Sequence, residues 1–147
     1  MSTNEAENLL QKGIEALNNG HSYLAMSCLE QALTYGKYPK LSSYLGYCLA
    51  LNGRDLDEAI ALGYEALETE PNSPAFCLNL GRTLLLADRR EDAIRIFRQG
   101  LTAARNGALV TELEKLGIRK SAVFPGLARD HFLNKYCGMV LSRLGLR

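Results

Sequence analysis

Between residues 45 and 67 the chain reads LGYCLALNGRDLDEAIALGYEAL, with large apolar residues every three or four positions and small ones set among them. That spacing predicts two amphipathic helices divided by a polar, glycine-containing turn. A lone amphipathic helix has no need of Gly46, Ala59 and Ala66 on its apolar side, whereas helices that must approach closely do. The small positions also recur. Ala25, Ala59 and Ala93 follow one another at intervals of 34 residues, and Ala32, Ala66 and Gly100 come seven residues after each. Gly13, Gly46 and Gly81 fall in the first half of each copy, and NNGHSYLA, LNGRDLDEA and LADRREDA mark the turns. Each copy is predicted as helix, short turn, helix, the second with one extra residue around Asn52 to Leu56 and therefore a looser turn.

A single helical hairpin cannot bury its apolar side, so Tyr47, Leu49, Ile60, Leu67, Leu80, Leu84, Ile94 and Phe97 are expected to become core only when neighbours stack. Gly46 and Gly81 are expected at the helix crossings. The last apolar face needs a cover. After Arg105-Asn106-Gly107, read as a helix stop, ALVTELEKLG places Leu109, Leu113 and Leu116 at helical spacing and predicts a capping helix ending at Gly117. Pro125-Gly126 interrupts the periodicity, and Asp130 is placed to N-cap a final amphipathic helix. Its stripe of Phe132, Leu133, Tyr136, Val140 and Leu141 is expected to dock on the repeats, within one chain or by exchange in a homodimer, or on a partner.

Composition narrows the class. The 147 residues are 47% hydrophobic and 22% charged, with 4 Pro and no Trp, and Leu, Ala, Glu and Arg dominate over β-branched runs, so the chain is expected to be all-α. The net charge of +1 supplies no overall field for nucleic acid or an anionic membrane. Its distribution is uneven: residues 118–147 hold six cations against Asp130 alone, a net +5 that leaves −4 elsewhere. Two regions follow, residues 1–117 with three repeats (about 5–38, 39–72 and 73–106) plus the cap, and a basic extension, 118–147.

Cys28, Cys48, Cys77 and Cys137 lie inside apolar patterns with no Cys-x-x-Cys pair and no histidine at ligand spacing, so no metal is expected. They read as small buried residues of a reducing, cytoplasmic protein. The N-terminal MSTNEAENLL has neither the apolar core of a signal peptide nor that of a membrane span. His21 sits in a turn and His131 near a helix start, and the Arg-Asp-His run at 129–131 points its side chains in different directions. Asp55, Asp57 and Glu58 open a helix, where they complement its dipole. No catalytic residue, cofactor or small-molecule substrate is expected.

The repeat resembles the tetratricopeptide repeat family through Leu45-Gly46, Ala59, Ala66-Leu67 and Pro71 in the second copy. The third matches at Leu80-Gly81, Ala93, Phe97 and Gly100-Leu101, with Arg105 in place of the terminal proline. The first matches at Gly13, Gly20, Ala25, Leu29 and Ala32-Leu33, with Lys12 in place of Leu. The resemblance implies a right-handed superhelical stack of three hairpins over residues 5 to 105 and a concave groove for a protein or peptide. It places Leu10, Ile14, Leu17, Tyr44, Tyr47, Leu51, Leu78, Asn79, Arg82 and Leu85 on or near that groove. The carboxylate clamp with which some members grip chaperone C-termini needs Lys and Asn where Leu10, Ile14, Tyr44 and Tyr47 stand here, and only Asn79 and Arg82 remain polar. An apolar or amphipathic ligand is the expectation.

Three readings follow: a non-enzymatic scaffold or adaptor; a small three-repeat chaperone of the bacterial secretion type; and docking on a membrane or nucleic acid through the basic tail. Against the second, the first repeat starts almost at the N-terminus, leaving little room for a preceding dimerisation helix. Against the third, six cations over 30 positions make a weak footprint.

Overall fold

A computed structural model describes residues 2–117, 140 and 142–145. Seven helices occur among them and no strand: α1 (Ser2–Asn18), α2 (Ser22–Leu33), α3 (Pro39–Leu51), α4 (Leu56–Thr69), α5 (Pro74–Leu86), α6 (Arg90–Leu101) and α7 (Gly107–Lys115). The chain divides into two compact units, residues 1–113 and 114–147, and the packing described below lies in the first. The predicted connection and most of the predicted C-terminal helix lie outside the described residues. So does the docking stripe of Phe132, Leu133, Tyr136 and Leu141; its one described member, Val140, is helical and about half exposed.

The three hairpins start and stop for local reasons. Pro39 and Pro74 open α3 and α5 at the position where a missing N–H costs nothing. Asp55 caps α4, its Oδ1 accepting from the N–H groups of Asp57 (2.9 Å) and Glu58 (3.2 Å). Inside each hairpin the first helix ends in the same left-handed turn. Gly20, Gly53 and Asp88 have positive φ, and the next residue donates to a carbonyl five positions back: His21 to Ala16, Arg54 to Leu49, Arg89 to Leu84. The turn of the second hairpin, residues 52–55, is one residue longer than those at 19–21 and 87–89.

Consecutive helices pack as pairs, α1 on α2, α3 on α4, α5 on α6, and the pairs join through α2 with α3, α4 with α5, and α3 with α5. Small residues set how close the axes come. A Cβ on Gly46 would stand 2.6 Å from the Ala59 carbonyl oxygen, one on Gly13 would strike Leu29, and one on Gly81 would overlap the Phe97 ring. Between hairpins Gly63 receives Leu80, while Gly100 receives Cys77 from its own hairpin and Leu109 from α7. Ala25, Ala59, Ala93, Ala32 and Ala66 have no exposed surface. Leu10, Leu29, Leu41, Leu80, Leu84, Phe97 and Leu109 fill the spaces left.

Ile60, Leu67, Leu80, Leu84 and Phe97 are core, but Tyr47, Leu49 and Ile94 are only half-buried: Leu49 packs against the edge of the core cluster, and Tyr47 lines a cleft described below. The segment 105–107 also differs from its reading as a helix stop. α6 already ends at Leu101, and Asn106 starts α7 instead, its Oδ1 accepting from Ala108 N (3.0 Å) and Leu109 N (3.1 Å). A short amide side chain satisfies first-turn N–H groups well, and here the next helix claims it.

Candidate partner-binding cleft

The first helix of each hairpin carries residues three and four apart that escape full burial. On α3 these are Tyr44, Tyr47 and Leu51; on α5, Leu78, Arg82, Leu85 and Leu86. Stacking α3 beside α5 brings Tyr47 and Leu51 opposite Arg82, Leu85 and Leu86, and α7 adds Glu112. Together they line a cleft of about 290 Å³.

The polar end of this cleft is fixed. Arg82 Nε donates to Glu112 Oε1 at 2.9 Å, and Nη2 lies 2.8 Å from the same oxygen. The Arg82 guanidinium carbon stands 5.9 Å from the centre of the Tyr47 ring, within cation–π range. Glu112 is 7% exposed, while the Arg82 side chain keeps about a third of its surface. A buried carboxylate needs such a partner, because desolvating a lone charge costs far more than it returns. Burial raises the Tyr47 phenol above its ordinary value, with Arg82 pulling it down and Glu112 pushing it up. Burial alone raises Tyr44. The cleft is thus an apolar trough with one neutralised ion pair at its end, suited to a side chain of aliphatic or aromatic character.

The structure sorts the residues expected in the groove. Tyr47, Leu51, Arg82 and Leu85 come together in the cleft. Ile14, Leu17 and Tyr44 are half-buried and pack against the core of the first two hairpins, and Leu78 is half-buried outside the cleft lining. Leu10 has no exposed surface and offers nothing to a ligand. Asn79 is 5% exposed, its amide donating to Ser43 Oγ at 3.0 Å, so it ties α5 to α3. Thr83 continues this seam, donating to the Asn79 carbonyl at 2.9 Å. Two cleft residues were missed. Leu86 lies four residues after Arg82, so helical spacing was a usable signal, but nothing in the sequence pairs Glu112 with Arg82 across 30 positions.

Residues 50–115 match the family model of the tetratricopeptide repeat. Those residues form tetratricopeptide repeats. The matched stretch runs from the end of α3 through α7 and so contains most of the cleft. The hairpin of α1 and α2 precedes it and joins the tetratricopeptide stack through the 34-residue period and the packing of α2 on α3. No curated protein matches the chain. Tetratricopeptide repeats serve in general as protein–protein interaction modules, and among the described residues no helix is long and apolar enough to cross a membrane.

Proposed function

We propose that the protein is a non-enzymatic scaffold or adaptor whose cleft between α3, α5 and α7 takes an apolar residue from an amphipathic segment of a partner protein. The observation that carries this reading is the exposure of Leu51 and Leu86, 39% and 48%, beside the half-buried Tyr47 and Leu85 on two adjacent helices. Apolar residues gathered in one concave place mark interaction sites, whereas single exposed ones do not. The internal pairing of Arg82 with Glu112 leaves no net charge to select an acidic or a basic ligand, which favours shape and apolar contact as the basis of recognition. Free thiols at Cys28, Cys48 and Cys77 suit a reducing, cytoplasmic setting.

Selection of binding peptides from a random displayed library tests the proposal. The expected result is enrichment of peptides with aliphatic or aromatic residues at helical spacing, which bind the full chain and lose binding to the Leu51→Asp/Leu86→Asp double variant. Both positions are on the surface, so that variant should keep its fold. Peptides that bind it as well as the parent, or no enrichment, would overturn the assignment.

A further inference from the structure

Away from this cleft, and sharing no residue with it, a second cavity of about 260 Å³ lies where the first turns of α1 meet the connection between α2 and α3. Thr3, Ala6, Glu7, Tyr35 and Tyr38 line it. The two tyrosines are not part of the repeat pattern. One period later their positions hold Thr69 and Asn72, and a second period later Ala103 and Asn106. The fold therefore places no demand for aromatic residues there.

The notch is electronegative. Glu5 raises the Tyr35 phenol above its ordinary value by hydrogen bonding and by its charge, and burial followed by the charge of Glu7 raises Tyr38. Glu7 is only loosely held: its side chain is 66% exposed, and its one ion-pair contact among the described residues, Lys40 Nζ, stands 3.9 Å from Oε1. Tyr38 adds a hydroxyl that is buried with no hydrogen-bond partner among the described residues. Internal packing thus leaves a polar atom unmatched beside a carboxylate and two aromatic rings, an arrangement with a cost unless a partner arrives.

We propose that this notch binds the guanidinium group of an arginine side chain presented by another polypeptide. The planar cation stacks on the half-exposed Tyr35 ring, and its N–H fork meets the Glu7 carboxylate. A small rotation of Tyr38 lets its hydroxyl accept a further N–H. An ammonium lacks the plane and the fork, so lysine fits less well. The site goes beyond the cleft and stands or falls separately from it.

The test is an NMR titration of the full-length protein carrying ring-labelled tyrosine, with N-acetylarginine amide as probe and the uncharged N-acetylcitrulline amide as control. Tyr35→Phe and Tyr38→Phe assign the two signals. We expect both signals to move saturably with the arginine probe and not with citrulline, and binding to weaken about fivefold in Glu7→Gln. Glu7 is exposed, so that variant should keep its far-UV circular dichroism and melting temperature. Static tyrosine signals, an equal response to citrulline, or unchanged affinity in Glu7→Gln would each overturn the proposal. The cleft variant Leu51→Asp/Leu86→Asp should respond like the parent.

Discussion

Gly46 on α3 lies so close to α4 that a Cβ placed on it would stand 2.6 Å from the carbonyl oxygen of Ala59 and 3.2 Å from Leu62 Cβ. The obstructing atom is backbone, which cannot swing aside as a side chain can. Replacing Gly46 with Ala should therefore destabilise the protein by about 1–3 kcal/mol through overpacking, although alanine favours an isolated helix by about 1 kcal/mol. Urea denaturation of the two proteins measures the difference, and equal midpoints would show that the helices separate without cost.

Asp88 has φ 58° in a turn where the other two copies use Gly20 and Gly53. A left-handed backbone costs an L-residue roughly 1–2 kcal/mol, partly offset by the entropy that glycine loses on folding. Asp88→Gly is expected to stabilise by about 0.5 kcal/mol, a rise in melting temperature of about 2 °C for a chain of this size. A fall in melting temperature would mean that the Asp88 carboxylate holds the turn by other contacts.

The Arg82–Glu112 pair should respond unequally to removal of its two members. Arg82→Ala takes both N–H contacts from a carboxylate that is 7% exposed and is expected to cost about 2–3 kcal/mol. Glu112→Ala leaves a guanidinium that is a third exposed and can turn to water, so about 1 kcal/mol is expected. Denaturation midpoints of the two single variants and the double variant separate the coupling from the individual losses.

Burial pushes the thiols of Cys48 and Cys77 up to about 11, from 9.0. Because the folded protein holds these protons more tightly than the unfolded chain, their contribution to stability is complete below pH 9 and is lost as the pH rises through about 11. The loss is at most about 2–3 kcal/mol per thiol. Denaturation midpoints should fall between pH 9 and 11, and Cys48→Ala should reduce that fall. Cys48 and Cys77 have no exposed surface, so iodoacetamide should label the half-buried Cys28 well before either.

Much of this architecture was legible because repetition multiplies a weak local signal. One alanine among leucines says little, but Ala25, Ala59 and Ala93 in register say that the same crossing is built three times. The polar turns, and the extra residue in the second of them, were equally readable, since a helix end depends on a few adjacent residues. Gly63 and Gly100 were harder to interpret. Gly63 is small to receive Leu80 from the next hairpin, and Gly100 to receive Leu109 from α7 beside Cys77 of its own hairpin, and the needs set by Leu80 and Leu109 exist only after those helices stack.

The sequence by itself determined the helices, their pairing into hairpins and the period that stacks them, because helical spacing, turn chemistry and close approach act over a few residues and are repeated. Which half-apolar residues would line the cleft was decided by tertiary structure alone. Leu10 and Leu51 have the same side chain on equivalent first helices, yet Leu10 is enclosed by α2 and α3 while Leu51 stands at the cleft. The joining of Arg82 with Glu112, and of Glu7 with Tyr35 and Tyr38, depended on how far one hairpin turns on the next, a quantity set by the summed packing of all the side chains between them.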